Sequence, residues 1–233
     1  MNTPIVVEDL LEINPNYQIT SFENDVIIID NWYKNYEKLY EVLVNMPVPR
    51  WKWTPGSRNF IDYYDCRGYL PLYMQNDPRI SSYFDEYCYI IEHFFHIQYS
   101  NMSLKTKTQG LEFNFFKVIK ENVAENFQHH PHRDGNCFNC IIYLDKISSG
   151  GTAVYDYIES YKTNEINDLL YDTANINKFI IPSKPNRLVI FNGNRFHGGY
   201  IENYNLYREN FRINQVIFCE VIPKENNEGL NYN

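Results

Sequence analysis

Hydrophobic and polar positions follow different periods in the two halves of the chain. In the first half, "DVIIID" (25–30) is a short apolar run that predicts a strand. The run "NWYKNYEKLYEVLVNM" (31–46) that follows carries Tyr33, Tyr36, Tyr40, Leu43 and Val44 at near-helical spacing. Asp30 or Asn31 can cap that helix, since a short side-chain oxygen accepts from the unpaired N–H groups of a first turn. A second helix is predicted over "SSYFDEYCYIIEHFFHIQY" (81–99), with Ser81 or Ser82 as cap and an apolar stripe through Phe84, Tyr87, Ile91 and Phe94. Between them, "RNFIDYYDCRGYL" reads as a strand followed by a turn.

The second half is a series of short β-type runs separated by turn residues: "LEFNFFKVIK", "FNCIIYLD", "GTAVYD", "KFIIP", "NRLVIFN" and "FRINQVIFCEVI". Many strands at close spacing predict a sandwich or barrel. The polar stretch "YKTNEINDLLYDTANIN" (161–177) interrupts the series and predicts an insertion at a barrel mouth, the usual place for a lid or substrate loop. With no internal repeat and no Gly/Ser linker, one domain is expected over 1–233. Residues 1–110 would supply supporting strands and helices, and 111–222 a β core.

Composition narrows the partners. Aromatic residues make up 17% of the chain, with 21 Tyr and 15 Phe, an excess that favours strands. The formal charge of −8 argues against a broad grip on nucleic acid phosphates. Five irregularly spaced cysteines do not form a secreted disulfide framework. Acidic residues stand in "MNTPIVVEDLLEINPNYQ" where a signal peptide needs a basic start, and no apolar run approaches the roughly 18 residues of a membrane span. A cytoplasmic protein with no membrane segment is expected. No feature of the pattern points to a particular oligomeric state.

The densest chemistry lies in "QHHPHRDGNCFNCIIYLD" (128–145), where three of the six histidines fall within four positions. His132-Arg133-Asp134 is the one His-x-Asp in the chain. Residues two apart on extended backbone point the same way, so this imidazole and carboxylate can converge on one ion. A third ligand must come from elsewhere, and His197 in "NRFHGGY", at a strand start after "NRLVIF", is the candidate. Two histidines and a carboxylate on one face of a metal leave positions open, the donor set of non-haem Fe(II) oxygenases.

From "QHHPHRDG" to "RINQVIF" the chain resembles the iron(II)- and 2-oxoglutarate-dependent dioxygenases, in particular their prolyl-4-hydroxylase-like branch. The resemblance is carried, in order, by His132 and Asp134, "IIYLD", "SSGGTAVYD", "RLVIFNGNRFHGG" and "NFRINQVIF". It covers about the last half of the chain; "IIIDNWYKN" adds a looser similarity to small phage and bacterial members.

The resemblance implies a double-stranded β-helix, a jelly-roll or cupin-like barrel with N-terminal helices packed on it. It implies Fe(II) on His132, Asp134 and His197, 2-oxoglutarate as cosubstrate, and O2. A basic residue on a late strand would hold the C5 carboxylate. Arg212 fits, sharing one strand face with Asn214, Val216 and Phe218, and its planar fork donates two parallel bonds to a carboxylate. Arg208 competes but stands nearer the loop. Tyr143 matches a position that contacts the same carboxylate, and Asn214 stands where the family commonly has Ser or Thr. The retained Asp134 favours hydroxylation over halogenation.

The reaction implied is oxidation of an unactivated C–H bond with release of succinate and CO2. A protein or peptide side chain is the first substrate class and a small metabolite the second. Asn114, His130 and Arg133 are substrate-side candidates. The alternatives are a non-catalytic metal-binding β-barrel module and a nucleobase-demethylating oxygenase. Other polar clusters have plainer readings. Cys137 and Cys140 read as apolar strand residues rather than zinc ligands, and His129 with His130 as a mouth-of-site pair or solvated loop. His93 and His96 read as polar edges of a packed helix, and Trp51 and Trp53 as core.

Overall fold

Period-two alternation in the second half of the chain sends side chains to two different cores. In the computed structural model the described residues are 7–23, 25–45, 51–53, 63–69, 78–97, 102–104, 112–118, 131–155 and 177–221. For some of these, including 51–53, 63–69, 78–83, 102–104 and 112–118, the description is of the backbone. In chain order the elements are α1 (Val7–Leu10), β1 (Gln18–Glu23), β2 (Val26–Asp30), α2 (Tyr36–Val44), β3 (Trp51–Trp53), β4 (Tyr63–Tyr69) and α3 (Pro78–Phe95). Then follow β5 (Met102–Leu104), β6 (Glu112–Val118), β7 (Cys137–Tyr143), β8 (Gly151–Tyr155), β9 (Lys178–Pro182), β10 (Arg187–Asn192), β11 (His197–Tyr200), a 3-10 turn (Tyr204–Tyr207) and β12 (Arg212–Val221).

The strands form two antiparallel sheets. The larger runs β1-β2-β10-β7-β12-β6-β4-β3, with β5 also on β12, and the smaller runs β11-β8-β9. At the centre of the larger sheet, β7 lies between β10 (Ile190 opposite Cys140) and β12 (Ile217 opposite Cys140). Phe138, Cys140, Ile142 and Leu144 turn to one face with Leu188, Ile190, Ile213 and Ile217, where α2 and α3 cover them through Leu39, Leu43, Tyr87 and Ile91. The alternate residues Tyr143, Ile141, Val189 and Phe191 turn to the other face and meet Val154, Phe179 and Ile181 of the smaller sheet. A strand buried on both faces reads as a nearly continuous apolar run, as "CFNCIIY" does apart from Asn139.

The N-terminal strands are part of this sheet rather than a separate support. β2 pairs directly with β10 (Ile28 opposite Val189), and β4 pairs with β6 (Cys66 opposite Phe115).

Helix starts differ from expectation. α2 begins after Asn35, not at Asp30 or Asn31. Asp30 instead accepts from Arg187 Nε at 2.7 Å and Lys184 Nζ at 2.7 Å. Asn31 takes a left-handed φ of 60°. Tyr33 pairs with Ile13 and gives its backbone N–H to Asn186 Oδ1 (2.8 Å). Tertiary partners thus claim the groups that local chemistry would use for capping. α3 begins at Pro78, ahead of Ser81 and Ser82, because proline's fixed φ and missing N–H suit a first helical position. No helix among the described residues is long and apolar enough to cross a membrane.

Candidate active site

His132 and His197 meet in an isolated antiparallel bridge that joins the segment before β7 to the start of β11. Each donates its backbone N–H to the other's carbonyl, at 2.9 and 3.0 Å. Asp134 is positioned separately, its N–H donating to Gly193 O (2.9 Å) while Gly193 N–H donates to Cys137 O (2.7 Å). Gly193 has no room for a side chain: a Cβ there would lie 2.8 Å from Cys137 O and 2.9 Å from Cys137 Sγ. Among the described residues, His132, Asp134 and His197 are the one group of three with metal-ligating atoms all within 4.8 Å of one another.

The protonation pattern of this group suits a cation. His197 Nδ1 lies 2.8 Å from Arg195 O. A carbonyl only accepts, so Nδ1 carries a proton and Nε2 is the ring atom turned toward Asp134. Nε2 lies 3.0 Å from Asp134 Oδ2, a separation bridged by a ring proton in the metal-free protein and open to a cation in its place. Asn139 Nδ2 braces both partners, donating to Asp134 Oδ2 at 2.6 Å and lying 2.9 Å from His197 Nε2. Burial opposes ionisation of Asp134. The hydrogen bond from His197, the charges of His197 and His132, and the Asn139 amide outweigh it and hold the carboxyl at about 2.

His197 is 4% exposed and packs edge-on to Phe191 at 5.0 Å, whereas the His132 side chain is 54% exposed at the rim, 3.8 Å from Asp134 Oδ1. The triad therefore has one buried wall and one open one.

A second polar pocket lies between the sheets. Arg212 is 6% exposed and donates Nη2–H to Gly151 O (2.9 Å), while its Nε has no hydrogen-bond partner among the described residues. Tyr143 OH and Thr152 Oγ1, both buried, are 2.7 Å apart. Burial pushes the Tyr143 phenol up to about 12, so it stays protonated. Asn214 stands opposite Tyr143 across β7 and β12. A buried guanidinium with an uncommitted donor beside hydroxyls and an amide can take a carboxylate. Gly151, whose carbonyl takes the Arg212 bond, must be glycine for its packing on β9: at φ 151° a Cβ would collide with Ile181 O at 1.9 Å.

The other expected site residues have contacts of their own. Arg208 closes the 3-10 turn and bonds Asn205 Oδ1 through Nε (2.8 Å). Arg133 is exposed and stacks 4.0 Å over the Phe196 ring. The backbone of Asn114 pairs with Asn214. His129, His130, residues 161–176 and the side chains of Asn114, Trp51 and Trp53 lie outside the described residues. His93 and His96 are exposed on and just after α3. Cys137 and Cys140 point to opposite faces, Cys137 toward Asn139 and Cys140 toward Cys219, as apolar strand residues do. Asn139, Thr152 and Gly193 had not been singled out in the sequence. For Asn139 a signal existed: it is the polar member of "CFNCIIY", two residues after Cys137 and in phase with Tyr143.

The fold is shared with several solved structures. The chain is similar to the non-haem α-ketoglutarate-dependent epimerase SnoN from nogalamycin biosynthesis, with TM-score 0.53 and 9% identity over 84% of this chain and 78% of that one. It is likewise similar to the α-ketoglutarate-dependent carbocyclase SnoK of the same biosynthesis, with TM-score 0.51 and 11% identity over 88% and 85%. HygX from Streptomyces hygroscopicus, with nickel and 2-oxoglutarate bound, gives TM-score 0.50 and 12% identity over 86% and 84%. The fold is accordingly the double-stranded β-helix of 2-oxoglutarate-dependent oxygenases. No protein-family model matches the chain, and no curated protein sequence matches it.

Proposed function

We propose that the protein is an Fe(II)- and 2-oxoglutarate-dependent oxygenase that hydroxylates an unactivated C–H bond. The observation that carries this reading is the pairing of two sites inside one barrel: the His132–Asp134–His197 group and the buried Arg212 with its uncommitted Nε. A metal module without chemistry needs the first and not the second. The order of motifs resembles that of the prolyl-4-hydroxylase-like branch, which favours this reading. The like-folded SnoN and SnoK are named for epimerisation and carbocycle formation, so hydroxylation rests here on the resemblance and on the retained Asp134.

His132, Asp134 and His197 would hold the iron, which when bound with its cosubstrate supplies the oxidising chemistry and releases succinate and CO2. Arg212 would bind the C5 carboxylate of 2-oxoglutarate, with Tyr143 and Thr152 offering hydroxyls and Asn214 an amide. Arg195 O and Asn139 keep the His197 ring in the tautomer whose Nε2 lone pair can ligate. Phe191, Val189 and Val154 line the same interior and exclude water from an oxidising site. The exposed face of His132 leaves the substrate an approach from the rim. A protein or peptide side chain fits such an open rim, with a small metabolite as the second class.

The test is anaerobic. Adding Fe(II) and then 2-oxoglutarate is expected to produce the weak visible charge-transfer band of the chelate, abolished in His132→Ala and weakened in Arg212→Ala. Folded protein that gives no band would overturn the oxygenase reading and leave a metal-binding barrel. Tight, salt-sensitive binding of single-stranded nucleic acid would favour nucleobase demethylation instead.

A further inference from the structure

Two polar atoms in the interior have no hydrogen-bond partner among the described residues and belong to neighbouring side chains of opposite charge: Oδ1 of Asp145 and Nε of Arg212. Their residues are 2% and 6% exposed. Asp145 follows β7 directly, and a backbone clip holds it beside the start of β12, where the N–H groups of Leu144 and Asp145 both donate to Ile213 O (2.8 and 3.2 Å). Its other carboxylate oxygen accepts from Tyr207 OH at 3.0 Å.

Among the described residues, the groups facing Asp145 come from four elements around it. They are Arg212 on β12, Tyr207 on the 3-10 turn, Tyr143 on β7, and Tyr36 and Tyr40 on α2. Tyr36 OH bonds the adjacent Leu144 O (3.1 Å). Lys146, next in the chain, is exposed and pairs outward with Glu37 and Glu41. Among the described residues, Arg212 is thus the cation that acts on this carboxyl from within the barrel.

We infer that Asp145 is a positioning residue for the anion pocket: it balances the charge of Arg212 in the free protein and takes up a proton when the carboxylate of the cosubstrate arrives. This rests on the proposed 2-oxoglutarate reading. One buried guanidinium cannot cheaply neutralise two carboxylates, because in a poorly solvated site a second negative charge disfavours ionisation of the first. Asp145 is already poised for this. Burial pushes its carboxyl up to about 6 against the opposing pull of Arg212 and the Tyr207 hydroxyl. An arriving carboxylate pushes it further the same way. The dicarboxylate then keeps the guanidinium to itself, and an ionised Asp145 acts as a gate against carboxylates that do not also gain metal contacts.

The test is calorimetric and needs no turnover. Full-length Fe(II)-loaded protein is titrated anaerobically with 2-oxoglutarate at pH 7 in two buffers of different ionisation enthalpy. The buffer dependence of the heat is expected to show uptake of nearly one proton per cosubstrate bound. Affinity should weaken about tenfold between pH 7 and pH 8, the slope of one linked proton. In Asp145→Asn both effects should vanish. Tyr207→Phe, which removes a hydrogen bond that favours the ionised carboxylate, should move the onset of weakening to higher pH. If Asp145→Asn fails to fold, the wild-type proton count and the Tyr207→Phe shift still decide. Binding without proton uptake, or with the same pH profile in wild type and variants, overturns the inference while leaving the cosubstrate reading intact. Absence of binding at any pH sinks the cosubstrate reading and this inference with it.

Discussion

His132 and His197 are held together by their backbones before their side chains do anything: each N–H donates to the other's carbonyl, at 2.9 and 3.0 Å. The bridge survives truncation of either imidazole, so the two rings can be tested separately. His132→Ala, at an exposed rim position, is expected to abolish metal binding while changing stability by no more than about 0.5 kcal/mol. His197→Ala removes a buried, hydrogen-bonded ring and should cost metal binding and on the order of 1–3 kcal/mol as well. Metal titration and thermal unfolding of both variants check the contrast.

Asn139 touches two proposed ligands at once, donating to Asp134 Oδ2 and facing His197 Nε2. Its removal leaves the ligands in place but free to turn. Asn139→Ala is expected to lower metal affinity roughly 10–100-fold. Competition with a chromophoric chelator measures it.

Gly193 ties Asp134 to the first residue of β7, and a Cβ there would press on both the carbonyl and the sulfur of Cys137. Gly193→Ala should force a backbone shift costing about 1–3 kcal/mol and displace Asp134 with it. Metal affinity should therefore fall although no proposed ligand is changed. Unfolding curves with and without metal would separate the two effects.

Asp145 gives a pH-dependent prediction about stability itself. Its carboxyl is raised from the ordinary 3.8 to about 6, so between those values the folded protein keeps a proton that the unfolded chain has lost. Stability is favoured below the lower value, and the cost of ionising the buried group is complete above the upper one. Asparagine carries no such cost. Asp145→Asn is expected to gain up to about 3 kcal/mol over wild type at pH 8, and little or nothing at pH 4. Denaturant unfolding of the metal-free protein at the two pH values tests this.

Much of the metal group was legible because its parts are local. His132 and Asp134 lie two residues apart on extended chain, where alternation alone aims them together, and His197 opens a strand after an apolar run. The burial of Arg212 on one face of β12 with Asn214 was legible by the same parity. Asn139 and Thr152 were not, because an amide or hydroxyl on a strand has no local mark of what it will face. The start of α2 was misplaced because Asp30 and Asn186 serve partners more than 150 residues away along the chain.

The sequence by itself determined the period-two pattern of the second half, the presence of helices within 31–46 and 81–99, and which side chains share a strand face. Those follow from backbone geometry, which repeats every few residues. Tertiary structure alone decided that β2 and β4 extend the same sheet as β7 and β12. It also brought the loop before β7 to β11, set Gly151 against Arg212, and left Asp145 with an unpartnered oxygen beside that guanidinium. The reason is physical: burial and pairing are properties of the packed space between two sheets, and the groups that meet there come from strands far apart along the chain.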